Sequence, residues 1–294
     1  MQLSLGIPNF GGWPGADFRA LVALAHAADE AGVDRLVVSD HVVLGHHLDA
    51  YRWGCFPTEP AGPWLEPLSC LTAFAAVTTR VRLSTGILIA PLRRAPLLAK
   101  TVATLDVLSG GRVDLGVGVG WQREEYDALG LEFDARGRLL EDTIGACRAL
   151  WTDLPASYSS RSVTFADVYC SPRPVQRPLP VWFAGTLNER NLRRITSLGN
   201  GWIPIMGASL DDIRDGATLL RATVGHDVDV QAPLSPVRSD DRSLDVAATM
   251  RQVPDLAAAG VTNAYLNAAS IARDPQAAAD ALPHVMSGLR EASE

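Results

Sequence analysis

Three short stretches of this 294-residue chain place chemically capable residues together. The first is Asp40-His41, in "RLVVSDHVVL". An imidazole beside a carboxylate suits proton transfer near neutral pH. A simpler role is equally open, with Asp40 capping a helix and His41 partly buried. The second is Ala184-Gly185-Thr186-Leu187-Asn188, which runs into a segment carrying Arg190, Arg193 and Arg194. A turn of small residues before a helix presents backbone N–H groups to an anion. A capped helix with a solvated basic face gives the same pattern. The third is "LDVLSGGRVDLGVGVGW", where Gly116, Gly118 and Gly120 interrupt an otherwise apolar strand and lead into Trp121. Glycine weakens a strand unless something must come close to it.

Other chemistries lack their residues. Trp121, Gln122 and Arg123 follow the glycines, so a dinucleotide fingerprint does not form, and no GK[ST] marks a phosphate loop. A GxSxG elbow and an HExxH pair are missing as well. Cys55, Cys70, Cys147 and Cys170 are scattered without a CxxC spacing, which reads as buried free thiols and no metal site.

The elements that must position these residues alternate along the whole chain. Apolar runs predict strands at 3–8, 35–39, 82–88, 112–118, 180–184, 201–204, 228–232 and 263–267. Helical spacing predicts helices at 17–31, 65–78, 96–108, 136–151, 188–198, 210–224, 244–259 and 275–292. Glycines in "EAGVDRLVVS", "LSGGRVDLG" and "AAGVTNAYLN" fall where helices should stop. Eight strand–helix units in one chain of this length predict a (β/α)8 TIM barrel, read as a single domain over 1–294. Two insertions break the rhythm, at 42–63 after the second strand and at 152–180 after the fourth. The latter reads as a small hairpin. In such a barrel the strand C-termini form the active site, and the stretches above lie there.

Composition sets the class. With 47% hydrophobic residues, 20% charged residues and a net charge of −7, the chain fits a globular protein acting on small molecules. Neither nucleic acid nor an anionic membrane is an expected partner. The N-terminal stretch has no basic leader, so a cytoplasmic location is expected.

The stretches "LGIPNFGG", "RLVVSDHVVL", "RLSTGILIAPLRRAPLLAKTVATLDVLSGGRVDLGVGVGWQREEYDALG", "RGRLLEDTIGACRALWT", "FADVYCSPRPVQRPLPVWFAG" and "LRRITSLGNGWIPI" cover most of 1–205. Together they resemble the luciferase-like monooxygenase superfamily, and within it the oxidoreductases that use the deazaflavin coenzyme F420. The resemblance implies a flavin-type ring across the barrel mouth, against Thr85, Gly86, Ile87, Val119 and Gly120. It implies a non-prolyl cis peptide in a bulge of the third strand, here at Gly86-Ile87, with the strand glycines keeping space for the ring. It assigns Asp40 and His41 to the ring head and reaction centre, and Ala184, Gly185 and Thr186 to the cofactor phosphate. Asn9, Phe10 and Trp121 would face the substrate, although Trp121 at a helix start also reads as a core residue.

Two departures narrow the reading. Sugar-phosphate dehydrogenases of the superfamily carry a catalytic Glu where this chain has Trp121. Flavin enzymes can carry a phosphate-binding Arg where it has Val119, which leans away from FMN. The expected function is hydride transfer between F420 and a small organic substrate, in a homodimer. The alternatives are an FMN-dependent luciferase-like monooxygenase and a non-catalytic deazaflavin-binding barrel. Arg93-Arg94 and Arg190, Arg193 and Arg194 are the expected path for the anionic F420 tail.

Overall fold

Leu3 and Leu5 are fully buried in the first strand, while Ser4 between them accepts a bond from Arg35 of the adjacent strand. That alternation of a helix-facing apolar residue with an inward small or polar one repeats around the fold. The computed structural model describes residues 1–294 except Pro14 and Ala16. The strands are β1 (Gln2–Gly6), β2 (Arg35–Val38), β3 (Arg82–Thr85), β4 (Leu88–Ile89), β5 (Val113–Gly118), β6 (Ala156–Ser159), β7 (Thr164–Val168), β8 (Val181–Ala184), β9 (Gly201–Ile203), β10 (Asp229–Pro233) and β11 (Asn263–Asn267). The helices are α1 (Ala20–Ala31), α2 (Pro67–Ala75), α3 (Ala95–Leu108), α4 (Arg123–Ala128), α5 (Arg136–Thr152), α6 (Glu189–Leu198), α7 (Leu210–Thr223), α8 (Val246–Met250), α9 (Val253–Ala258) and α10 (Pro275–Ser293).

All strands but β6 and β7 are parallel and close on themselves in the order β1, β2, β3, β5, β8, β9, β10, β11 and back to β1. With β3 and β4 counted as two halves of one strand, this is the eight-stranded barrel expected. β4 pairs only with β5, and the Gly86-Ile87 peptide between the halves is cis. The hairpin expected within 152–180 is the antiparallel β6–β7 pair. Gly32, Gly110, Gly111 and Gly260 have φ of 86°, 70°, 86° and 88°, the left-handed turn that stops each preceding helix. The helix expected at 244–259 is two short ones, because Pro254 opens α9 after the turn at Arg251-Gln252.

The lower interior of the barrel is polar. Arg35 donates to Asp114 at 2.8 Å, to Ser4 and to Asn263, and its guanidinium lies 4.6 Å from the Trp182 ring centre. Asp114, Trp182 and Asn263 stand on β5, β8 and β11, none of which pairs with β2, so these contacts cross the interior. Arg82 also binds Asp114, at 2.6 and 2.7 Å. The glycines make room for this filling. A Cβ on Gly201 would run into the Trp182 ring, and one on Gly6 into the Tyr265 hydroxyl.

The strand glycines of β5 resolve differently from expectation. A Cβ on Gly116 would strike the Thr85 carbonyl oxygen, one on Gly118 would lie 2.9 Å from Ile87, and one on Gly120 would lie 3.0 Å from Ile89. The space they vacate is occupied by the chain's own bulged β3–β4 segment.

Candidate active site

Residues from five strand ends and the 42–63 insertion meet at the barrel mouth. Their arrangement starts with α4, a six-residue helix that carries Glu125 at zero exposure. One Glu125 oxygen lies 3.0 Å from His41 Nδ1 and the other accepts the Val42 N–H at 2.9 Å. A buried carboxylate only accepts, so this contact places the proton on Nδ1. His41 Nε2 has no hydrogen-bond partner among the described residues and is left for a ligand. Gln122, just before α4, holds the Gly45 N–H at 3.0 Å and pins the start of the insertion beside His41. Glu125 escaped the sequence reading. Its signal was a charged residue beside Tyr126 in "REEYDALG", where both prove buried.

Asp40 points elsewhere. Its carboxylate accepts the Ile89 N–H at 2.8 Å and two Arg93 bonds at 2.6 and 3.0 Å, with its side chain fully buried. Arg93 also reaches Glu66, the N-cap of α2, at 2.9 Å. Burial alone would lower the Arg93 pKa, but Asp40 and Glu66 more than reverse this and keep it raised. Both Asp40 oxygens are engaged in holding β4, and Arg93 is not free to meet a cofactor tail. The basic path expected through Arg93-Arg94 therefore reduces to the exposed Arg94. On α6, Arg190 and Arg194 both grip Glu141, at 2.7 and 2.9 Å. Arg193 is 71% exposed and, among the described residues, pairs only with Glu189, at 4.0 Å.

Around the imidazole stand aromatic rings. Trp64, Phe56 and Trp121 meet His41 edge-on at centroid distances of 4.7, 5.4 and 5.9 Å. Phe10 stacks on Trp64 at 4.5 Å. Asn9, expected to face the substrate, is instead fully buried. Its amide donates to Ser39 O and Leu65 O and its oxygen accepts from Ser39, which ties β1 to the returning end of the insertion.

The remaining expected residues form the mouth's other side. Thr85 is buried with its hydroxyl on Gly116 O at 2.6 Å, and the Val119 carbonyl accepts from Tyr126. Ile87 packs on the small cluster of Ile89, Leu92 and Tyr126. At the top of β8 the Gly185 N–H is taken by Ile203 O at 2.9 Å and its carbonyl by Trp202 Nε1. Thr186 is exposed, and its hydroxyl has no partner among the described residues. Cys55 is exposed and Cys70 half-buried, which corrects the reading of all four thiols as buried.

Comparison with known proteins fits this geometry. The luciferase-like monooxygenase family model matches residues 3–292. An "Uncharacterized protein" of Mycobacterium tuberculosis is 35% identical over 190 residues, 62% of this chain and 66% of that one. The F420-dependent glucose-6-phosphate dehydrogenase of Amycolatopsis mediterranei is 30% identical over 77% of this chain and 68% of its own length. The FMNH(2)-dependent dimethylsulfone monooxygenase of Pseudomonas putida is 33% identical over 56% and 47%. The matched region thus spans 66% or less of two of these three relatives. Among solved structures, the monooxygenase RslO1 of Streptomyces bottropensis superposes over the whole of both chains with a TM-score of 0.77 at 19% identity. An F420-dependent secondary alcohol dehydrogenase reaches 0.73 at 16% identity, over 99% of this chain and all of that one. Relatives of both cofactor classes thus share this barrel, with a split third strand here and His41 at its mouth. The chain belongs to the luciferase-like monooxygenase family.

Proposed function

We propose that the protein is an oxidoreductase that moves a hydride between coenzyme F420 and a small organic substrate. The observation that carries this reading is His41, with Nδ1 fixed by buried Glu125 and Nε2 left open among aromatic rings. An imidazole held in one tautomer in a water-poor pocket is a proton donor or acceptor at a defined atom. F420, when bound, supplies a ring carbon that takes or gives the hydride. The residues at the mouth fit such a group. The free hydroxyl of exposed Thr186 offers a donor to a phosphate, and the open space over Gly185, whose φ is 117°, lets it approach. The rim from Ile87 to Gly120 would border the ring. In this reading His41 Nε2 takes the substrate proton, and Glu125 stabilises the ring that results. Asp40 acts as a positioning residue that secures β4 through Ile89 and Arg93.

A second reading is favoured by one specific observation. Arg93 is committed to Asp40 and Glu66, so less basic surface remains for the long anionic tail than the sequence suggested. FMN, with one phosphate and no tail, needs less, and the protein would then be a monooxygenase. Titration of the apo protein with F420 and with FMN at two salt concentrations decides. F420 is expected to bind more tightly, with a margin that narrows as salt screens Arg94 and Arg193 over about 10 Å at 0.1 M. Tighter FMN binding at both concentrations overturns the F420 reading. Bound cofactor without turnover of any substrate would leave a binding protein.

A further inference from the structure

The walls over His41 specify what can lie against it. The chain has 7 Trp, 7 Phe and 5 Tyr, yet Tyr51, Trp53, Phe56 and Trp64 all fall in one short stretch. The fold adds Trp121 from beyond β5. Tyr51 meets Trp53, Phe56 and Trp121 at 5.3, 5.3 and 5.4 Å, and Phe56 meets Trp121 at 5.3 Å. Rings at these separations attract one another beyond their buried area.

Charge is kept out of this cluster. Glu125 is engaged by His41 and Val42, and Asp40, Arg93 and Glu66 are engaged by one another. Among the described residues no cation lies over any of these rings, whereas Arg35 covers Trp182 and Arg136 covers Phe133. Burial raises the Tyr51 pKa, so its phenol stays neutral. A carboxylate or phosphate seated among the rings would lose its water against negative ring faces, and the one arginine of the stretch, Arg52, is turned to solvent. A neutral ring would exchange one set of aromatic contacts for another.

The two stacked pairs of the cluster differ in spacing. Phe10 stacks on Trp64 at 4.5 Å, while Phe56, nearly parallel to Trp64 at 19°, stands 5.8 Å away. The start of the insertion is pinned at Val42 and Gly45. Around Phe56 it is held by ring contacts and by the Tyr51 hydroxyl on Met206 sulfur at 3.3 Å.

We infer that this cluster receives a flat, uncharged aromatic substrate with one hydroxyl or carbonyl, seated between the nearly parallel rings of Trp64 and Phe56, with Phe56 moved outward to admit it, and reaching His41 Nε2. The inference rests on the proposed role of His41, and it names the substrate class for that site. Calorimetric titration of the apo protein, without any cofactor, tests it. The probes are 2-naphthalenemethanol, its charged analogue 2-naphthoate and the saturated, non-planar 2-decalinmethanol. The neutral planar alcohol should bind at least tenfold more tightly than either of the others. Phe56→Leu and Trp64→Leu should each weaken it at least tenfold while keeping a cooperative thermal transition. Should Trp64→Leu fail to fold, Phe56→Leu alone decides. Equal or tighter binding of naphthoate, no preference over the saturated alcohol, no heat at millimolar probe, or wild-type affinity in Phe56→Leu overturns the inference. Because the titration contains no cofactor, its failure is separable from failure of the F420 reading, which the F420 and FMN titrations test.

Discussion

Replacing Glu125 by Gln isolates what the buried carboxylate does for His41. The side chain keeps its volume and place, with zero exposure and two partners, His41 Nδ1 at 3.0 Å and the Val42 N–H at 2.9 Å. A carboxylate accepts at both oxygens, whereas an amide accepts at one end and donates at the other. The Val42 N–H can only donate, so it claims the amide oxygen and the amide nitrogen turns toward Nδ1. His41 must then accept at Nδ1 and carry its proton on Nε2, the reverse of its wild-type state. Hydrogen bonds to a charged group contribute about 1.5–3 kcal/mol and neutral ones about 0.5–1.5, so exchanging two should destabilise the fold by about 1–3 kcal/mol. For turnover, a correctly poised acid–base group contributes roughly 10²–10⁴-fold, and a ring presenting the wrong nitrogen should lose most of it. Nitrogen-15 NMR of histidine-labelled protein reads the tautomer directly, and kcat with saturating cofactor reads the consequence. If the variant keeps its proton on Nδ1, or turns over at the wild-type rate, Glu125 does not set the state of the ring and the mechanism fails.

Three further outcomes follow from other contacts. Gly116→Ala should lower stability by about 2 kcal/mol or more, because its methyl meets a backbone carbonyl, while Gly118→Ala should lose less than about 1, because Ile87 can rotate; thermal unfolding of the pair checks this. Burial alone would raise the Asp29 carboxyl pKa, but N–H bonds from Thr79, Val81 and Arg80 hold it below the usual range. Its stabilisation is therefore complete above about pH 4 and lost as pH falls through the lower folded value, so Asp29→Asn should flatten acid unfolding, and an unchanged profile would exclude the contribution. Thr186→Ala should weaken cofactor binding about tenfold with no change in melting temperature, whereas Arg93→Lys should lower the melting temperature while preserving the F420-to-FMN affinity ratio, both readable by titration and calorimetry.

The sequence carried the order and number of the barrel units, since each barrel strand has its own apolar run and three helices end at glycines read as stops. The strand at 263–267 matches its prediction throughout, and Gly32 and Gly260 stop their helices as read. The bulge site was legible through family resemblance, down to Gly86-Ile87. What stayed hidden depends on side chains meeting across long separations. Asp40 and Arg93 are 53 positions apart, and His41 and Glu125 are 84 apart. No local pattern says which acid an arginine will choose, so Asp40 looked reactive and Arg93 looked free. Asn9 was misplaced for the same reason, as its partners Ser39 and Leu65 belong to other elements. The β5 glycines were correctly marked as a close approach, but the approaching atoms are Thr85, Ile87 and Ile89 of the chain itself.

The division of the third strand has a mechanical consequence. Below the break the barrel is a continuous hoop of backbone hydrogen bonds, with β2 laddered to β3 as far as Val38 and Thr85. Above it, among the described residues, β4 is joined to β5 alone, and the gap toward β2 is bridged by one rivet, the Asp40 carboxylate on the Ile89 N–H, with Arg93 as its washer. Any widening of the rim is therefore carried at this height by side chains, which can tilt and return, where a ladder would have to tear. The seam lies between His41 on one bank and the Ile87–Ile89 segment on the other. The barrel thus has a side-chain joint at the lip of the pocket, while its floor is locked by Arg35 and Asp114.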